Sequence, residues 1–255
     1  MTAMHTNPTL PLPPLPGPDA ALFLDIDGTL LDLARRPELV VVPAELPGLL
    51  RQISASLDGA LALVTGRDLP SVDGIGQGSR PFDGLSVAAE HGALIRQVGD
   101  AAPVGSLPEP LPAWRQAADD FGARHEKAVV EQKRFGIVLH VREAPEAADE
   151  ARALIESFIP EGQGHFRAVP AHAAVELRPV MADKGRVLLR LMEGAPFAGR
   201  QPVFIGDDVT DEDGMAAARS LGGFGYHVGR DFGGETANVR AWLAEMAKRL
   251  TQRVA

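Results

Sequence analysis

The sequence predicts an α/β protein: a Rossmann-like core on a parallel sheet, interrupted by an inserted α+β unit of order αββαββ. Three observations carry this prediction. Short apolar runs at 21–24, 59–64 and 201–206 read as strands buried on both faces, as parallel sheets require. Helical apolar spacing separates the first two, which makes a βαβ unit with a right-handed crossover. Between 128 and 178 the strand pattern changes to alternation, apolar on one face and polar on the other.

Residues 1–19, rich in Pro and without periodicity, are expected to be a disordered or extended arm. The first strand follows and delivers Asp25 and Asp27 ahead of Gly28. Side chains two apart in a strand share a side, so both acids emerge together. A helix over 43–53 is predicted from apolar positions 46, 49, 50 and 53. The second strand, 59–64, ends in Thr65-Gly66-Arg67. Residues 85–89 and 93–97 flank Glu90-His91-Gly92 as a hairpin.

Gly, Pro and Ser then punctuate 99–112, which reads as a domain boundary. Helices near 112–125 and 146–159 and strands near 128–133, 136–142, 165–169 and 173–178 give the αββαββ insertion. Ile137, Leu139, Val141, Val175 and Leu177 are expected to cover its helices. His140, Arg142, Glu176 and Arg178 face water or a ligand. The expected division is an arm at 1–19, a core at 20–102 and 181–255, and a cap at 103–180. Lys184 opens an amphipathic helix, the run 201–206 ends in Asp207-Asp208, and a strand near 223–229 and a helix over 235–250 close the chain.

Composition narrows the function. The 255 residues, 45% apolar and 23% charged, suit a globular chain of one or two domains with a sizeable core. A net charge of −9 and 5% aromatic residues argue against nucleic acid. No apolar stretch approaches a membrane span, and the N-terminus lacks a basic start and apolar signal core, so a cytoplasmic protein is expected. Absence of cysteine excludes disulfides, thiolate metal sites and cysteine nucleophiles. The seven histidines are scattered, with no zinc-site spacing.

Three buried strands thus end in polar groups, and in an open parallel sheet those ends lie along one ligand-binding edge. Paired carboxylates at buried strand ends are costly unless a cation or a reaction needs them. The chemistry they suit is phosphoryl transfer. Mg²⁺ takes oxygen ligands, which Asp25 and Asp207 can supply. One carboxylate of the first pair can attack phosphorus, and the other can protonate the leaving oxygen and activate water. Thr65 and the backbone at Gly66 can donate to phosphate oxygens, while Lys184 offsets charge.

In order and at strand ends, Asp25-Ile26-Asp27-Gly28-Thr29, Thr65-Gly66-Arg67, Lys184 and Gly206-Asp207-Asp208 resemble the four motifs of haloacid dehalogenase (HAD) superfamily phosphatases. The resemblance implies Asp25 as nucleophile and Asp27 as acid–base. It also implies magnesium on Asp25, Asp207 and the Asp27 backbone carbonyl, with Asp208 acting through water or the ligand shell. A narrower resemblance, to trehalose-6-phosphate phosphatases, rests on Glu90-His91-Gly92, Glu131-Gln132-Lys133, Leu139-His140-Val141-Arg142, residues 173–179, 195–200 and 206–212. It implies a sugar-phosphate substrate, sugar contacts from Glu131, Lys133 and Glu176, weaker ones from His91 and Arg142, and functional pairing with a trehalose-6-phosphate synthase.

Two other readings stay open: a phosphatase for a sucrose- or mannosylglycerate-type phosphate, and a catalytically silent sensor domain. Acids at a helix start complement its dipole, which accounts for Glu212 and Asp213 and leaves Asp211 undecided. Arg67 either binds ligand or pairs with a carboxylate. The cap is expected to close over the core on hinges at 99–112 and 179–183.

Overall fold

A computed structural model describes residues 11–34, 39–76, 78–105, 107–171 and 173–252. Two sheets organise the described residues. Six strands run in the order β10-β9-β1-β2-β3-β4: β1 (Ala20–Leu24), β2 (Leu61–Val64), β3 (Ser86–Ala89), β4 (Leu94–Arg96), β9 (Gln201–Gly206) and β10 (Phe224–His227). All neighbours pair in parallel except β3 with β4, the predicted hairpin. The apolar runs form the middle of this sheet, and every residue of β1 and β2 and all of β9 but Gln201 is buried, as parallel sheets covered on both faces require.

The covering helices are α1 (Leu46–Ser56), α5 (Lys184–Met192), α6 (Val209–Ser220) and α8 (Thr236–Gln252), with α1 against α8 and α5 against α6. A short α2 (Leu69–Gly74) carries Pro70 in its first turn, where a missing N–H costs nothing. Six residues are too few to show periodicity, so the sequence gives no sign of its length. Likewise 223–229, expected as one strand, divides. His227 ends β10 and caps α7 (Val228–Asp231) by accepting from the Gly229 N–H.

The second sheet is antiparallel, ordered β5-β6-β8-β7, from β5 (Val129–Gln132), β6 (Ile137–His140), β7 (Phe166–Ala171) and β8 (Ala174–Pro179). With α3 (Pro112–Arg124) and α4 (Ala148–Phe158) it follows the predicted αββαββ order. Ile137, Leu139, Val141, Val175 and Leu177 form its own apolar core with Trp114, which stacks on Phe158 at 5.4 Å and meets Phe166 edge-on. Period-two alternation therefore turns the polar face, with His140, Glu176 and Arg178, away from that core.

The N-terminal arm needs correction where it is described. Residues 11–17 form no helix or strand and lead into a turn, yet the segment is held to the core: Leu15 packs on it, Trp242 donates to the Pro13 carbonyl at 2.8 Å, and Arg200 to that of Pro18 at 3.2 Å. A segment with no ladder hydrogen bonds leaves its carbonyls free to accept such bonds. Residues 1–10 lie outside the described residues. No described helix is long and apolar enough to cross a membrane.

Candidate active site

Asp25 continues β1 by one step, its N–H donating to the Ile205 carbonyl at 3.0 Å, and so is fixed by the sheet itself. Its carboxylate is buried beside Lys184, the first residue of α5, whose Nζ donates to Asp25 Oδ1 at 2.7 Å and to Asp211 Oδ1 at 2.6 Å. Oδ2 of Asp211 accepts from the backbone N–H groups of Asp207 and Asp208, at 3.1 and 3.0 Å. Asp207 follows β9 and comes within reach of the Thr29 hydroxyl at 3.4 Å. Gly28 has φ +75°, and a Cβ there would lie 2.1 Å from Asp207 Oδ2. Only glycine lets the turn after β1 approach that carboxylate.

Asp25, Asp207 and Asp211 each place a carboxylate oxygen within 4.8 Å of the others. Two of these acids, Asp25 and Asp211, converge on one ammonium. Burial pushes Asp25 up to about 8, against the pull of Lys184, and pushes Asp207 up to about 6 with help from Asp211 and Asp208. Burial disfavours the Lys184 charge, yet Asp25 and Asp211 hold its pKa above the usual lysine value. The donor set is all oxygen and short of positive charge, which fits a hard divalent cation. Asp208 turns elsewhere: its Oδ1 accepts from the Val209 N–H at 2.7 Å, and with Asp211 it forms the capping box of α6. Asp211 therefore serves both helix and cluster. The Asp208-x-x-Asp211 spacing was a legible sign of the first role only.

Asp27, half-buried, accepts from both arms of Arg67, Nε to Oδ2 at 2.6 Å and Nη2 to Oδ1 at 2.7 Å. Of the two roles open to Arg67, the structure takes the carboxylate pair. Thr65 is buried at the end of β2, and its hydroxyl accepts from the Arg67 N–H at 3.1 Å. The Glu90-His91-Gly92 turn braces this loop: Glu90 N–H donates to the Arg67 carbonyl and His91 N–H to that of Thr65, both at 2.8 Å. The His91 ring lies on Gly66, where a Cβ would approach it to 2.8 Å. Glu90 and His91 hold φ of +47° and +56°, each costing a non-glycine residue about 1–3 kcal/mol. Gly92, at φ +92°, sits tight against Val187 of α5.

The second sheet brings its polar face to the same place. Lys133 Nζ donates to the Gly66 carbonyl and to Glu176 Oε1, both at 3.0 Å. His91 Nε2 lies 3.7 Å from Glu176 Oε2, and Glu131 meets His140 Nε2 at 3.0 Å. Burial holds the His91 imidazole down at about 4 despite Glu176, so it is neutral. Burial opposes the Glu176 charge, but Lys133, His91 and Arg178 keep its carboxyl well below the ordinary range. Arg142 stands apart from these groups, exposed in the turn after β6. Glu90 is buried, and its Oε2 accepts from the Phe135 N–H at 2.8 Å.

Acids and an ammonium at the carboxyl ends of a parallel sheet, under an inserted antiparallel sheet, define a phosphatase fold of the haloacid dehalogenase class. The C-terminal domain of Candida albicans trehalose-6-phosphate phosphatase superposes with TM-score 0.70 at 17% identity, over 90% of this chain and 92% of that one. A probable trehalose-phosphate phosphatase of Sinorhizobium fredii is 39% identical over 214 residues, 82% of this chain and 77% of the relative. The trehalose-6-phosphate phosphatase of Escherichia coli is 33% identical over 216 residues with the same coverage. The trehalose-phosphatase family profile matches residues 23–242. This chain belongs to the trehalose-phosphatase family.

Proposed function

We propose that the protein hydrolyses trehalose 6-phosphate to trehalose and phosphate through an aspartyl-phosphate. The single observation that carries this reading is the buried Asp25–Lys184–Asp211 contact beside Asp207, faced by the Lys133–Glu176 pair of the inserted sheet. An oxygen of Asp25 attacks phosphorus, and the phosphorus–sugar oxygen bond breaks as Asp27 gives that oxygen a proton. Asp27 then takes a proton from water as the water oxygen attacks the same phosphorus, releasing phosphate and restoring Asp25. Asp27 can donate only after the Arg67 fork opens, and an arriving phosphate dianion is the natural competitor for that guanidinium. Thr65 and the loop N–H groups orient phosphate oxygens, while Glu131, Lys133 and Glu176 supply the fixed donors and acceptors that a disaccharide rich in hydroxyls requires.

Asp25, Asp207 and Asp211 would hold Mg²⁺ with the Asp27 carbonyl beside them, and Asp208, engaged at the α6 cap, would act only through water; bound there the ion would supply charge neutralisation. Without a cation, the raised Asp25 and Asp207 favour the folded state while protonated. That contribution is full below about pH 4 and lost as pH rises through about 6 to about 8. Mg²⁺ at a hundred times its Kd is therefore expected to raise Tm by about 5–10 °C at pH 8, and by clearly less at pH 5. Equal shifts at both pH values in a thermal melt would remove these acids as the binding site.

Substrate class is tested by a panel of sugar phosphates with and without Mg²⁺. Trehalose 6-phosphate is expected to exceed glucose 6-phosphate in kcat/KM by roughly 10²-fold or more, since the second sugar must occupy the sheet-lined side. Parity between the two, or preference for a sucrose-type phosphate, would replace the substrate. No turnover of any of them would favour a silent domain. We also place the boundaries of the inserted unit at 103 and 180, with a trehalose-6-phosphate synthase as the reaction that supplies the substrate.

A further inference from the structure

The turn from Lys133 to Gly136, which joins β5 to β6, is not seated in its own sheet's core. Phe135 is 1% exposed and belongs to the apolar core of the six-stranded unit, separate from the cluster around Trp114. Its ring tip lies against Gly105, where a Cβ would come within 2.9 Å. The turn that carries it is rigid. Lys133 N–H donates to the Gly136 carbonyl at 3.0 Å, and Arg115 of α3 donates to the carbonyls of Lys133 and Arg134 at 2.8 and 2.7 Å. Gly136 presses so closely on β8 that a Cβ would stand 2.8 Å from the Leu177 carbonyl.

From the six-stranded side, Glu90 accepts the Phe135 N–H and simultaneously donates its own N–H to Arg67. The same short turn that seats Phe135 sends Lys133 to the Gly66 carbonyl. Three successive carbonyls of the phosphate-side loop are thus engaged by this assembly: Thr65 by His91, Gly66 by Lys133 and Arg67 by Glu90. A stiff turn with its aromatic anchor in the other unit's core leaves Lys133 little freedom.

We infer that Phe135 is a positioning residue for the reaction: lodged in the phosphate-side core, it sets where Lys133 meets Gly66 and so couples the sugar-facing sheet to the phosphate loop. This rests on the reading of the inserted sheet as the sugar-facing one. Phe135 meets Glu90 through its backbone N–H, and its side chain lies in the apolar core away from the Asp25–Asp207–Asp211 cluster. Its loss should therefore spare an ester whose leaving group is small and harm one whose leaving group fills the sheet-lined side.

The test compares trehalose 6-phosphate with p-nitrophenyl phosphate in the full chain with Mg²⁺. Phe135→Ala is expected to lower kcat/KM for trehalose 6-phosphate by about 30–100-fold, as misplacement by about an ångström does, while p-nitrophenyl phosphate changes by less than about threefold. Phe135→Leu, which refills the seat, should recover most of the loss. Arg115→Ala leaves the anchor in place but frees the turn, and is expected to show the same split at about 5–10-fold. It serves as the deciding variant if Phe135→Ala does not fold. Equal losses on both substrates, or no loss on trehalose 6-phosphate in a folded variant, would overturn the coupling. Should the wild type prefer another sugar phosphate, the substrate reading fails alone, and the split is read with the preferred ester.

Discussion

Asp25→Asn is expected to lower kcat by about 10⁴-fold or more while the protein stays folded. The size follows from the position. Asp25 is the acid that the sheet fixes through its own backbone, and Lys184 holds its Oδ1 while leaving Oδ2 to the site. An amide cannot form the acyl phosphate, and no neighbour stands ready in its place: Asp211 is held by Lys184 and two backbone N–H groups on the cation side, and Asp27 is the acid–base, held by Arg67 until phosphate arrives. Folding is spared because asparagine removes a charge from a crowded cluster, so the metal-free variant should melt no lower than wild type at pH 8. The Mg²⁺-induced rise in Tm should shrink together with the activity. A folded Asp25→Asn enzyme that keeps more than about a hundredth of wild-type kcat would transfer the nucleophile's role elsewhere.

Why these assignments were within reach of the sequence, and others were not, follows from the range over which each signal acts. Apolar runs, helical spacing and acids at strand ends are local, and they carry β1, β2, β9 and the positions of Asp25, Thr65, Lys184 and Asp207. Asp211 is different. An acid in the first turn of a helix has an ordinary reading, and here that reading is true, because Asp211 completes the capping box of α6. Its second role, on Lys184, depends on α5 packing against α6 and is invisible until the two helices meet. Phe135 illustrates the same limit. A phenylalanine in a hairpin turn reads as an exposed apolar residue or as part of its own sheet, and nothing local says that it crosses into another core. Glu90 carried a motif, but its bond to the Phe135 N–H, 45 residues along the chain, had no local sign.

Lys184→Met should be the most destabilising substitution in the site. The ammonium is 3% exposed and lies 2.7 Å from Asp25 and 2.6 Å from Asp211. Methionine keeps the apolar stem and its packing, so the loss isolates the charge. Breaking a buried ion pair from one side costs about 3–5 kcal/mol because the remaining charges have no partner. Urea unfolding at pH 7.5 without metal is the measurement, and a fall of about 6–20 °C in Tm should accompany it. The sign with pH is fixed by the acids: burial already raises Asp25 and Asp207, and without Lys184 both rise further. Protonation then relieves the variant, so its deficit against wild type should narrow as pH falls from 8 towards 5. Adding Asp25→Asn to Lys184→Met removes one of the stranded carboxylates and should return part of the stability but none of the turnover, a coupling of about 1–3 kcal/mol. If the double variant is as unstable as the sum of the two single changes, then Lys184 supports the start of α5 rather than the acids, and the electrostatic account of this site fails with it.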